Sequence, residues 1–225
     1  MYAWLADFLD ETYGIGLSRE GAPEEVIAQV ETALRIPLPP SYRDFLKVCN
    51  GGEIYGYYIF STTDLLRVPA EFGFRPYQGC IETGGESFGT TYGKKPANLL
   101  PVASIINSPD LYCIDVCPNG KEEKPICKFD PEVEDIDLIL QPHFPDFEAF
   151  FLDIVNVVSE EVESYLQEDD DLWDEEKVEQ AEKRLKKWQN VIRGQLVQGG
   201  ADMTDPWEPD WANWHGSAGQ IKSLS

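Results

Sequence analysis

The sequence predicts an α+β fold: a single mixed or antiparallel sheet of about five strands, wrapped by helices, with a helical extension at the C-terminal end. Three observations predict it. Apolar residues recur with helical spacing before residue 50 and again after residue 146. Between them, residues 99 to 129 hold short apolar runs separated by turn residues, the pattern of an antiparallel meander. The chain has 225 residues, 42% of them hydrophobic, which is enough for one good core with extensions or for two small domains.

In chain order, residues 2 to 13 form an amphipathic segment. Trp4, Leu5, Phe8 and Leu9 share a face that is expected to pack on the core, and Gly14 and Gly16 break the segment. Pro23 to Leu34 is the next helix. Its stripe is Val26, Ile27, Val30 and Leu34, its first turn carries Glu24 and Glu25, and Pro37 ends it. Pro39 and Pro40 then open a helix in which Tyr42, Phe45, Leu46 and Cys49 fall on one side. Ser41 and Asp44 have the spacing of a capping box, and Asn50-Gly51-Gly52 is the expected stop.

Glu53 to Phe60 is rich in β-branched and aromatic residues and is predicted to be a strand, followed by a short turn or helix over Thr63 to Val68. Residues 71 to 98 interleave glycine with Phe72, Phe74, Tyr77, Phe88 and Tyr92, which predicts a long loop with room for one short hairpin. Leu99 to Ile106, Leu111 to Val116 and Pro125 to Phe129 are the meander strands. Asn107-Ser108-Pro109-Asp110 and Pro118-Asn119-Gly120 are its turns. An acidic loop covers Asp130 to Asp137, and Ile136 to Leu140 adds a short strand or leads into the next helix. That helix carries Phe147, Phe150, Phe151, Ile154, Val155 and Val158, with Asp146 as its cap.

Composition then shifts. Glu160 to Glu176 has no Lys or Arg and centres on Asp169-Asp170-Asp171. Residues 174 to 197 form an amphipathic helix with Val178, Ala181, Leu185, Trp188 and Ile192 on its stripe, expected to pack on its own domain. Glu179 with Lys183 and Glu182 with Lys186 add acid-before-base pairs worth ~0.3 kcal/mol each. Residues 199 to 225 are a tail without periodicity whose Trp207, Trp211 and Trp214 are costly to leave in water.

The helix that opens at Pro39 also carries a resemblance. Leu38-Pro39, then Ser41-Tyr42, Phe45-Leu46 and Asn50-Gly51-Gly52 resemble the opening signature of the SUKH superfamily, the Smi/Knr homology domain. Gly21-Ala22-Pro23-Glu24-Glu25-Val26-Ile27 with Glu31 and Leu34 is similar to what precedes that signature. Leu99-Leu100-Pro101-Val102-Ala103 resembles the family's central strand, and Phe144-Pro145-Asp146-Phe147-Glu148-Ala149-Phe150-Phe151 its closing helix. The resemblance divides the chain into an N-terminal extension (1–19), a SUKH-like domain (20–158), an acidic linker with the amphipathic helix (159–198) and a Trp-rich tail (199–225).

Charge bounds the function. Eighteen Lys and Arg against 41 Asp and Glu leave a net charge of −23, which opposes binding to nucleic acid or anionic membrane and favours capture of basic protein surfaces. No apolar run approaches the ~20 residues of a membrane span. The N-terminus lacks a secretory pattern, and five cysteines fit a reducing cytoplasm. No catalytic set stands out. The two histidines, His143 and His215, lack a paired nucleophile motif, and Gly84-Gly85-Glu86-Ser87-Phe88-Gly89 only touches the nucleophile-elbow pattern. Cys113, Cys117 and Cys127 have neither the spacing nor the histidines of a zinc site and are expected to be core, as is Cys49. The acidic runs lack a calcium loop's ligand spacing. No metal or cofactor is expected.

A non-catalytic binding protein follows. The resemblance implies an immunity protein that binds and neutralises a cognate toxin, with a basic nuclease as the target that suits this charge. The alternative is a regulatory scaffold of the cell-wall and signalling type, and an enzyme using His143 or a cysteine is a third class. The expected partner surface is aromatic and acidic: Tyr55, Tyr57, Glu71, Tyr77, Glu82, Glu86 and Tyr92, then Asp169, Asp170 and Asp171.

Overall fold

The computed structural model describes residues 2–11, 16–71, 74–77, 80–83, 99–115, 123–130, 141–156, 175–204 and 209–216. These form an α+β structure built on an antiparallel sheet. The chain divides into two compact units, Tyr2–Phe147 and Glu148–Ser225.

The first unit opens with α1 (Leu5–Glu11), whose Leu5, Phe8 and Leu9 are buried. Strand β1 (Gly16–Leu17) follows, then α2 (Glu24–Leu34) and α3 (Pro40–Val48). Helix α2 ends before Pro37. Arg35 takes the left-handed conformation at φ 59°, and the Arg35 and Ile36 amides donate back to Thr32 O and Glu31 O. This is the two-bond helix stop usually given to glycine. Glu31 accepts from the Leu38 amide at 2.9 Å and from Arg43 Nε at 3.3 Å, fastening the α2–α3 connection. Arg43 also pairs with Glu24, whose carboxyl it holds below the usual range.

Both ends of α3 differ from expectation. Ser41 is no N-cap, because Pro39 and Pro40 have already begun the helix and Pro39 is the capping residue. The Ser41 amide and hydroxyl instead donate to the two Glu123 carboxylate oxygens, each at 2.6 Å. The C-cap is Cys49 in extended backbone (φ −143°) rather than a left-handed glycine. Gly51 (φ 77°) serves a close approach: a Cβ there would lie 2.6 Å from Ile59 O.

The stretch read as one strand over Glu53 to Phe60 is a hairpin of β2 (Gly52–Ile54) and β3 (Tyr57–Ile59). Beyond it, α4 (Thr62–Glu71) is longer than the predicted turn or short helix. It owns a true capping box. The Ser61 amide donates to Asp64 Oδ2 at 3.0 Å, and the Asp64 amide donates to Ser61 Oγ at 3.2 Å. Asn50 Oδ1 accepts the Thr62 amide as well. Among the described residues of the 71–98 region stands one short hairpin, β4 (Phe74–Tyr77) with β5 (Cys80–Thr83), a separate two-stranded sheet.

The meander is β6 (Leu99–Ile105), β7 (Leu111–Asp115) and β8 (Ile126–Phe129), and β9 (Pro142–Phe144) adds a strand where His143 had no assigned element. The main sheet runs β1-β2-β3-β6-β7-β8-β9, antiparallel throughout. It has seven strands among the described residues rather than about five, because the split hairpin and the short strands at each edge add to the count. Residues Leu99 to Ala103 of β6 are wholly buried, as a central strand requires. The core of this unit includes an aromatic cluster in which Tyr42, Phe45 and Phe147 meet at centroid distances of 4.5 to 6.5 Å. Tyr2 closes on Phe45 at 5.7 Å.

Helix α5 covers residues 147–156. In the second unit Phe150, Phe151, Leu152, Ile154 and Val155 are buried, and so are Trp188, Ile192 and Leu196 of α6 (Glu175–Gln198). Helix α6 stops at Gly200 (φ 95°), where the Gly200 and Ala201 amides donate to Val197 O and Leu196 O. The chain then returns. Asp202 and Asp210 exchange backbone hydrogen bonds, the His215 amide donates to Gly199 O, and Trp214 packs over Gly199 with Trp211 edge-on to it. Two of the three tail tryptophans are thus partly covered. Trp207, the turn at Pro118-Asn119-Gly120, Cys117, Val158 and the predicted strand over Ile136 to Leu140 lie outside the described residues, as does most of the acidic loop.

Candidate interaction surface

The sequence Ile54-Tyr55-Gly56-Tyr57 turns in two residues. Ile54 and Tyr57 are the last pair of the β2–β3 hairpin, leaving Tyr55 (φ 40°) and Gly56 (φ 78°) as the loop. Positive φ at both central residues is what a type I′ turn requires, and its twist matches the strands it joins. Glycine adopts it freely, but tyrosine does so at a cost in steric strain. The Ile106 amide closes the turn onto Gly56 O at 2.7 Å.

This turn delivers Tyr57 to one face of the sheet. Directly paired residues share a face, and so do residues two apart on a strand. Tyr57 pairs with Ile105, Ile59 with Ala103, and Ala103 with Tyr112. Ile114 pairs with Ile126, which pairs with Phe144. Tyr57, Ile105, Tyr112 and Phe144 therefore stand on the same side, drawn from four strands. Tyr57 and Tyr112 lie 5.9 Å apart between ring centroids, and Tyr112 and Phe144 lie 6.4 Å apart, tilted at 44° and 54°. These are ordinary spacings for interacting rings. Together they make an aromatic strip across the sheet. Tyr57, Ile105 and Phe144 are partly exposed, and Tyr112 retains 9% of its surface.

The charge beside the strip is balanced. Lys128 pairs with Tyr112 across β7 and β8, and its ammonium is 2.9 Å from Asp110 Oδ2. His143 keeps much of its surface in water. Partial burial, and then the Lys128 charge, hold its pKa below the usual imidazole value, so it is neutral at pH 7.

Among the described residues the thiols of Cys49, Cys113 and Cys127 are buried and outside any disulfide. Cys113 and Cys127 are direct cross-strand partners. Burial, and then Cys127, push the Cys113 thiol well above its ordinary value, and burial pushes Cys49 to about 12. Both remain protonated at neutral pH, the inert state of a cysteine. Among the described residues no group of three or more His, Cys, Asp or Glu side chains is arranged to hold a metal ion. Among the same residues no helix is long and apolar enough to cross a membrane.

Of the residues expected to bind a partner, Tyr55 lies in the hairpin turn, and Tyr57, which closes it, belongs to the strip. Glu71 ends α4, and Tyr77 and Glu82 belong to the separate β4–β5 hairpin, where Tyr77 pairs with Cys80 and Glu82 with Arg75. Glu86, Tyr92, Asp169, Asp170 and Asp171 lie outside the described residues. Sequence reasoning passed over Ile105, Tyr112 and Phe144. The signal for them is the alternation of each strand combined with a register that only the folded sheet supplies.

A family model described as the SMI1 / KNR4 family (SUKH-1) matches residues 21–153, which takes in the sheet strands from β2 to β9 and all of α2, α3 and α4. No curated protein matches the chain.

Proposed function

The chain belongs to the SMI1/KNR4 (SUKH-1) family, and from that premise we propose that it is a non-catalytic binding protein, an immunity protein that binds and neutralises a cognate protein toxin. The observation that carries this reading is the net charge of −23, beside an aromatic strip in which Tyr57 and Phe144 are partly open to solvent and Tyr112 is buried between them. Aromatic rings anchor protein interfaces at small entropic cost. An excess of acids speeds the approach of a basic partner and repels nucleic acid. A nuclease must present cationic groups to its own substrate, so a basic nuclease toxin fits both features. The buried Cys49 and Cys113 thiols stay protonated at neutral pH and are not poised as nucleophiles. The protein acts where such a toxin would act, in the cytoplasm.

Two measurements test this. Co-expression should restore growth of cells carrying the toxin, and rescue of growth against no toxin at all overturns the reading. The association rate of the purified pair should fall about tenfold or more from low to high salt; a rate indifferent to salt removes the electrostatic part. Recovery of several unrelated partners of ordinary charge would favour a regulatory scaffold instead.

A further inference from the structure

We propose that Cys113 and Cys127 are a thiol pair placed to close into a cross-strand disulfide, so that exchange with a low-molecular-weight disulfide locks β7 to β8 without moving either strand. This inference concerns the meander and stands apart from the binding reading above.

Register comes first. The β7–β8 ladder runs unbroken, with Leu111 opposite Phe129, Tyr112 opposite Lys128, Cys113 opposite Cys127 and Ile114 opposite Ile126. Residues directly opposite in an antiparallel pair have Cα atoms about 4.5 or 5.5 Å apart and side chains on one face. Both spacings fall inside the roughly 4.4–6.8 Å that a disulfide spans. Among the described residues no other two cysteines stand opposite each other on strands, since Cys80 pairs with Tyr77 and Cys49 caps α3. The two thiols also sense one another: after burial, Cys127 is what raises the Cys113 pKa.

The surroundings favour the product over the reactive form. Both side chains are buried. A thiolate is costly there, whereas a disulfide carries no charge and leaves no donor to satisfy. Exchange therefore takes place while the strands are apart, before the meander closes or when it opens locally. Strand β9 covers β8 with only Pro142–Phe144, and the register between them shifts at Ile126 and Cys127. So short an edge opens at lower free energy than the sheet as a whole. The step balances. One cysteine thiolate attacks a sulfur of glutathione disulfide, whose S–S bond breaks and releases a glutathione thiolate. The second cysteine thiolate then displaces the remaining glutathione from the mixed disulfide. Two protein S–H bonds become one S–S bond, and the two protons and two electrons leave on two glutathione thiols. In a reducing pool the pair stays a dithiol. In an oxidised pool it closes, and the folded sheet then shields the bond from reductant.

The experiment is refolding of the urea-unfolded full chain in glutathione disulfide or in reduced glutathione, read by intact mass, peptide mapping and melting temperature. The oxidised product should lack two hydrogens and should melt about 5 °C or more above the reduced one. Mapping should join Cys127 to the segment that holds Cys113 and Cys117. The Cys117→Ala variant should keep that link and Cys113→Ala should lose it. Should Cys113→Ala fail to refold, retention of the link in Cys117→Ala carries the assignment alone. A refolded wild type that keeps all five thiols, or a link to Cys49, Cys80 or Cys117 in place of this one, overturns the proposal. So does a cross-linked chain that melts no higher than the dithiol, because the bond would then strain the strands it joins.

Discussion

Two aromatic clusters among the described residues differ in how far they are enclosed. In one, Tyr2, Tyr42, Phe45 and Phe147 are almost wholly removed from water, and the Tyr42 hydroxyl donates to Phe60 O at 2.8 Å. In the other, Tyr57 and Phe144 keep part of their surface in solvent, with Tyr112 buried between them. The first lies on α3 and its neighbours, where helical spacing stacks rings one above another. The second lies on strands, where alternation spreads rings along one face of the sheet. A ring's worth to the fold thus depends on how fully its element can enclose it.

Substitutions can break this contrast, and the largest effect belongs to the enclosed cluster. Phe45→Ala should cost about 3–5 kcal/mol, seen as a lower urea midpoint. Equal loss of stability from Tyr57→Ser would erase the distinction. Next, Tyr42→Phe should cost about 1 kcal/mol through the lost hydrogen bond to Phe60 O. Burial, and then the Asp64 charge, raise the Tyr42 phenol well above the ordinary value of a tyrosine. The sign follows: the protonated phenol's contribution is complete below pH 10 and is lost as pH rises beyond it. Alkaline melts should therefore decline less steeply in Tyr42→Phe than in wild type. The smallest effect should be a gain. Tyr55→Asn relieves the left-handed strain and should raise stability by about 0.5 kcal/mol, read as a higher urea midpoint. An unchanged or lower midpoint would sharpen the contrast by showing that the Tyr55 ring makes contacts that offset the strain.

The helices were legible because their signals are local. The stripe of Ile27, Val30 and Leu34 and that of Tyr42, Phe45 and Leu46 can be read within a few residues, and all six are buried. Capping was harder. Ser41 to Asp44 and Ser61 to Asp64 have the same spacing, and only the second is a capping box. Two prolines before Ser41 had already started α3, which displaced Ser41 into the first turn. The Tyr55-Gly56 turn escaped notice because tyrosine rarely takes positive φ, so eight residues that read as one strand conceal two. The strip was half legible. Tyr57 could be chosen from aromatic content in a strand, but its union with Tyr112 and Phe144 depends on pairings between residues far apart in the chain.

The hydrogen bonds from Ser41 to Glu123 have a consequence for the order of assembly. The box at Ser61 and Asp64 closes over three residues, as soon as that segment exists. The first turn of α3 must wait for a carboxylate 82 residues downstream. Closing so long a loop is an entropic cost met only when the meander pairs. A chain leaving the ribosome therefore carries a finished start to α4 while α3, earlier in sequence, is still open at its beginning. The helix made first is the one completed last, and its completion reports that the sheet behind it has formed.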